Sequence, residues 1–173
     1  MKNIYLVGFM ATGKTSVGKE LAKRLNLEFV DLDKLIEKRE CMPIVDIFAK
    51  KGEAYFRKLE KEIVKDISLK RDLIVACGGG VVVDIDNLNT LRQSGVIICL
   101  KADIETILKR SKGTGQRPLL NVENPKEHIE ILLKKREPFY NQAGYLLDTT
   151  KLEIIEVVDK ILEIISENKD TYE

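Results

Sequence analysis

A chain of 173 residues is long enough for one domain with a substantial core and short for two. Its 44% hydrophobic and 33% charged residues are ordinary for a globular protein, and a net charge of +1 lacks the basic excess of a nucleic-acid binder. Three scattered cysteines with no C-x-x-C pair exclude a disulfide framework and a zinc site, and fit a reducing compartment.

The chain opens on the apolar run "NIYLVG", which predicts a buried first strand with no signal peptide before it. No later apolar run approaches the roughly 18 residues of a membrane span, so a soluble, cytoplasmic protein is expected. The next stretch, "GFMATGKT" from Gly8 to Thr15, has the spacing G-x-x-x-x-G-K-[ST] of a phosphate-cradling loop. Gly8 and Gly13 allow close backbone approach, and backbone N–H groups there point at phosphate oxygens. Lys14 supplies a point charge for the β- and γ-phosphates, and Thr15 a hydroxyl for Mg²⁺. Lys14 to Leu25 then predicts a helix with Val17, Leu21 and Leu25 on one face.

"LEFVD" predicts a second strand. If it runs on through Asp33, period 2 puts Asp31 and Asp33 on one face at the strand's carboxyl end. Two such carboxylates can divide the work: one orients water on Mg²⁺, the other accepts the proton of an attacking hydroxyl. Asp33 also stands immediately before "KLIEKRE", where it is placed to cap a helix. Residues 34–70 predict several short helices, with Phe56, Arg57 and Glu60 of "GEAYFRKLE" on one of them.

"LIVAC" near 73–77 is the third predicted strand, and "CGGGVV" follows it. A plain turn seldom needs three glycines, so this run predicts close approach of backbone to a ligand. "VIICL" at 96–100 is the fourth strand; Cys77 and Cys99, each ending an apolar run, read as buried and inert. Residues 112–124, "KGTGQRPLLNVEN", show no helical period, and their length together with Arg117 predicts a lid. His128 lies in a charged helical stretch and is expected at the surface; "KKREPFY" then offers Arg136. "YLL" at 145–147 is a weaker fifth strand, and Leu152, Ile155, Val158, Leu162 and Ile165 form a core-facing helical stripe. The alternation predicts one three-layer α/β domain around a parallel sheet, with ligands at the carboxyl ends of its strands.

Taken together, "GFMATGKT", "DLD", "GEAYFRKLE", "CGGG", "RPLL" and "REPFY" resemble the shikimate kinases, over nearly the whole chain. The phosphate loop alone is shared by very many families, whereas the ordered combination is specific. The resemblance implies a three-layer P-loop kinase fold over residues 1–173, with a five-stranded parallel sheet, a substrate-binding segment at about 32–60 and a mobile lid at about 112–124. It implies transfer of the γ-phosphoryl of ATP to the 3-hydroxyl of shikimate, on the route to aromatic amino acids. It assigns shikimate to Asp33, Arg57, Gly79, Gly80 and Arg136, the two arginines holding its carboxylate. Nucleotide falls to Gly13, Lys14, Thr15, Ser16, Arg110 and Arg117, and Mg²⁺ to Thr15 and, through water, Asp31. Ile44, Phe48, Phe56 and Glu60 line or brace the pocket. Lys14, Asp33 and Arg117 are the implied catalytic residues of a monomer that uses neither nucleic acid nor membrane. Two departures stand out: Ala11 where the family usually has glycine, and Asn141 and Gln142 where "REPFY" is usually followed by x-Glu. The rival readings are another small-molecule kinase, such as a gluconate kinase, and a nucleotide-binding module without catalysis.

Overall fold

Short runs of Ile, Val and Leu with no polar alternation suit strands covered on both faces, as in a parallel sheet. The computed structural model, which describes residues 1–111 and 124–167, has this arrangement. Strands β1 (Asn3–Val7), β2 (Glu28–Asp31), β3 (Leu73–Ala76), β4 (Gly95–Lys101) and β5 (Tyr145–Asp148) form one sheet in the order β2-β3-β1-β4-β5. All four pairings are parallel, with Tyr5 of β1 level with Val75 on one side and Ile97 on the other.

The connections are α1 (Lys14–Leu25), α2 (Leu32–Glu40), α3 (Ile44–Ser68), α4 (Ile85–Ser94), α5 (Ile104–Ser111) and α6 (Pro125–Ala143), with α7 (Ile154–Glu167) closing the chain. Successive strand residues face opposite sides. Ile4 and Leu6 therefore pack with Val17 and Leu21 of α1 and Val157, Val158 and Ile161 of α7. Tyr5 and Val7 pack on the other face, with Ile63 of α3, Leu88 of α4 and Ile129 of α6. The three layers follow. Among the described residues no helix is long and apolar enough to cross a membrane.

Residues 34–70 hold the expected run of short helices: α2 is followed by α3, which is itself two helices meeting at Gly52, where φ is 81° and ψ 168°. Two expectations need correction. In α7, Ile155 is 58% exposed and the buried positions are Val157, Val158 and Ile161. That helix is apolar at 154, 155, 157, 158, 161, 162, 164 and 165, so more than one stripe satisfies helical spacing and packing on α1 selects among them. His128 is half-buried, and its Nε2 is enclosed with no hydrogen-bond partner among the described residues. Its charged neighbours Lys126, Glu127 and Glu130 occupy other faces of α6, while His128 lies beside the buried Ile129.

Cys77 and Cys99 are buried free thiols, as expected; Cys41 is exposed. Burial pushes the Cys99 thiol up to about 11 and Cys77 higher still, so neither is a nucleophile near neutral pH. Of the lid segment 112–124, only Asn124 falls within the described residues, so Arg117 lies outside them.

Candidate active site

The loop from Gly8 to Gly13 joins β1 to the first turn of α1. At Gly8, φ is 129° and a Cβ would stand 2.1 Å from the Leu100 carbonyl oxygen, so β4 leaves room only for glycine. Lys14 folds back over the loop, donating from Nζ to the carbonyls of Gly8 (2.8 Å) and Phe9 (2.7 Å). The start of α1 presents backbone N–H groups and the positive end of the helix dipole, which favours an anion there.

Ala11 sits within this loop at φ 59°, in the left-handed region. That conformation costs an alanine about 1–2 kcal/mol, while glycine adds about 0.4–1 kcal/mol of unfolded-chain entropy. Ala11→Gly is therefore expected to stabilise the protein by up to about 1 kcal/mol, or about 2–4 °C in Tm. Thermal unfolding checks this; a lower Tm for the variant would show that the loop holds Ala11 without strain.

The acidic pair is arranged differently from the strand-face expectation. β2 stops at Asp31, and Asp33 belongs to the first turn of α2. Asp31, not Asp33, is the cap: its Oδ1 accepts from the Lys34 backbone N–H at 3.3 Å, which ends the extended run. Both carboxylates nonetheless reach the same cleft. Burial pushes the Asp33 carboxyl above the usual aspartate range, and the Asp31 charge pushes it further in the same direction.

On α3, the Arg57 guanidinium donates to Glu60 at 2.9 Å and to Glu53 at 3.3 Å, and lies 5.1 Å from the Phe56 ring. The Glu60 side chain is only 2% exposed, and burial holds its carboxyl above the usual range even with Arg57 beside it. Phe48 packs on Phe56 with ring centroids 4.7 Å apart, and Ile44 is partly buried against the same core.

The three glycines after β3 clear space for these side chains. A Cβ on Gly78 would stand 2.9 Å from Asp33 Oδ1, and one on Gly80 2.7 Å from Arg57 Nη1. One on Gly79 would stand 3.5 Å from Arg136 Nη1 on α6. Side chains from α2, α3 and α6 thus converge on one stretch of bare backbone.

A cleft of about 930 Å³ runs over the carboxyl ends of the strands. Gly13, Lys14, Thr15, Ser16, Asp31, Asp33, Gly79, Arg110 and Arg136 all line it. Arg57 and Gly80 stand beside each other just behind this lining. Far from the acids, Arg110 donates to Thr149 Oγ1 at 3.1 Å and to the Thr149 carbonyl at 2.9 Å.

Two residues passed over in the sequence occupy central positions. Thr149, 1% exposed, places Oγ1 within donating reach of two carbonyls, Lys101 of β4 at 3.0 Å and Thr12 of the phosphate loop at 3.2 Å, while accepting from Arg110. Tyr140, 2% exposed, donates from its hydroxyl to the Gly79 carbonyl at 2.6 Å. Thr149 had a signal, since "DTT" closes a strand at the ligand-binding end of the sheet. The departure at Asn141 and Gln142 does not leave the end of α6 free: Lys101 donates to Asn141 Oδ1 at 3.1 Å, and Arg92 donates to the Gln142 carbonyl.

The donor set suits Mg²⁺. Thr15 Oγ1 and Asp31 Oδ2 lie 3.1 Å apart, two hard oxygens at the mouth of an anion-binding loop. No group of three potential metal ligands exists among the described residues. Mg²⁺ needs none, because it binds through one or two protein oxygens, substrate phosphates and water.

The family model for shikimate kinase matches residues 10–166. The chain belongs to the shikimate kinase family. The shikimate kinase of Thermodesulfovibrio yellowstonii is 50% identical over 163 residues, covering 94% of each chain. That of Thermoanaerobacter pseudethanolicus is 48% identical, over 94% of this chain and 95% of its own. Among solved structures, the shikimate kinase from Acinetobacter baumannii in complex with shikimate superposes with a TM-score of 0.93 at 38% identity. It covers 98% of this chain, which covers 95% of it. A gluconokinase from Sinorhizobium meliloti, at 16% identity and a TM-score of 0.58, shares the fold alone with this shikimate kinase family member.

Proposed function

We propose that the protein is a shikimate kinase that transfers the γ-phosphoryl of ATP to the shikimate 3-hydroxyl, giving ADP and shikimate 3-phosphate in the cytoplasm. The observation that carries this reading is the convergence of Asp33, Arg57 and Arg136 on the triple glycine, beside a phosphate loop in one cleft. Residues 1–173 act as one domain and as a monomer, with substrate held by the segment at about 32–60. One chain supplies every residue the mechanism uses.

ATP lies along the loop, its phosphates against Gly13, Lys14, Thr15 and Ser16 and its base end toward Arg110. Lys14 exchanges its two carbonyl partners for the phosphates. Thr15, and Asp31 through water, would hold Mg²⁺, which would supply neutralising charge for the phosphates. Asp33 orients the 3-hydroxyl and accepts its proton; a carboxyl raised by burial is the stronger base for that task. Phosphoryl transfer otherwise depends on positioning and charge stabilisation. Arg117 in the lid segment at 112–124 is assigned a share of that stabilisation from the family resemblance.

The shikimate carboxylate is held by Arg57 and Arg136, with Gly79 and Gly80 against the ring. Gly80→Ala tests this placement. Its Cβ would displace the Arg57 guanidinium from 2.7 Å, without meeting backbone. The shikimate KM should rise by about tenfold, equivalent to about 1.4 kcal/mol, with the ATP KM unchanged. A parallel rise in both would point to a general distortion of the cleft instead. The reaction itself is tested by presenting shikimate, gluconate and water with γ-labelled ATP. Label is expected on the shikimate 3-oxygen alone; preferential labelling of gluconate would favour the rival kinase.

A further inference from the structure

Tyr140 is the one residue of the "REPFY" motif whose side chain is buried against the triple glycine without a part in the transfer. Its hydroxyl donates to the Gly79 carbonyl at 2.6 Å, and Arg136 of the same helix approaches the same peptide, its Nη1 3.5 Å from where a Gly79 Cβ would stand. Two side chains of α6 therefore meet at one peptide that faces shikimate. The loop itself is poorly ordered by its own chemistry, because three successive glycines carry the largest backbone entropy of any residues. Backbone bonds hold its flanks, from Val81 N–H to the Gly78 carbonyl at 3.2 Å and from Val83 N–H to the Gly80 carbonyl at 3.1 Å. The middle peptide is held from outside, by Tyr140 on α6.

We infer that Tyr140 is a positioning residue for shikimate: its hydroxyl fixes the Gly79 peptide in one geometry, so that the substrate meets this bare backbone already oriented beside Arg136. The inference rests on the shikimate kinase reading above. Burial pushes the Tyr140 hydroxyl up to about 12, so it stays protonated and able to donate throughout the working pH range. Phenylalanine keeps the ring and its packing but leaves the Gly79 carbonyl unpaired. A preorganised site loses affinity when its backbone must be ordered on binding.

The test is Tyr140→Phe, read by calorimetric titration of shikimate and by steady-state kinetics, with thermal unfolding as a check on the fold. The shikimate Kd and KM are expected to rise about tenfold, the worth of one to two net hydrogen bonds, while the ATP KM and kcat stay within about twofold. The split between the two substrates is the readout that simple destabilisation would not give. Unchanged shikimate affinity, or an equal rise in both substrates' KM, would overturn the proposal. Wild-type protein that binds no shikimate would overturn the underlying reading and this proposal with it; wild-type binding with an unaltered variant overturns this proposal alone.

Discussion

Asp33→Asn is expected to lower kcat by about 10²–10⁴, the usual contribution of a positioned general base, while the ATP KM changes little. The same variant should unfold at a higher temperature than wild type. Asp33 is raised in the folded state, by burial first and by the Asp31 charge second, so the folded protein holds its proton more tightly than the unfolded chain does. For such a group the ionised form favours unfolding. Its cost is absent below the unfolded aspartate pKa of about 3.9, grows as pH rises toward the folded value, and is present in full above it. An amide of the same shape removes that cost along with the base. The pH profile carries the same sign: the acid limb of kcat/KM should lie above the ordinary aspartate range. Loss of activity with a lowered Tm would mean that Asp33 stabilises the cleft, and an ATP-affinity defect at preserved kcat would move it to the metal site.

Removing the charge from the substrate should be as damaging as removing the base from the protein. Guanidinium groups grip planar carboxylates through paired, charge-assisted hydrogen bonds. Arg57 and Arg136 approach the triple glycine from different helices, and Arg57 already pairs with the buried Glu60 and with Glu53. An uncharged carboxamide of shikimate leaves both cations facing a group that cannot neutralise them. Truncating one partner of such a pair costs about 2–5 kcal/mol. At about 1.4 kcal/mol per tenfold, kcat/KM for the carboxamide should fall on the order of a hundredfold or more. Replacing either arginine with alanine should depress turnover of shikimate while sparing the carboxamide, because attraction and unpaired charge disappear together. Lysine should rescue only partly, since it lacks the planar fork. An arginine variant that still separates acid from amide as wild type does would put the carboxylate elsewhere.

The fold was legible because its strands are short, β-branched and bounded by turn residues, and because each motif fell at a strand's carboxyl end. The helical region between β2 and β3 was less so. Whether Asp33 extends a strand or opens a helix turns on the Asp31 carboxylate reaching the Lys34 N–H at 3.3 Å, a choice that two acids at period 2 leave open. The phosphate loop announced itself through a spacing that few other structures require. The convergence of Arg57, Arg136 and the glycines did not, since α3 and α6 are about 80 residues apart in the chain and an isolated arginine reads as surface charge. Family resemblance brought them together; residue patterns alone left each as a single charge. Tyr140 in "REPFY" and Thr149 in "DTT" stood in view but their roles did not, for a related reason. Tyr140 bonds the distant Gly79 carbonyl and Thr149 reaches the Lys101 and Thr12 carbonyls, and only the folded backbone brings those near.

The most direct measurement is ADP release by the full chain with ATP and Mg²⁺, coupled to a colour reaction, with shikimate present and absent. The account predicts negligible ADP without shikimate, saturable release with it, and one shikimate 3-phosphate formed for each ADP. ADP release at the same rate in both cases, or release that gluconate supports and shikimate does not, would contradict it.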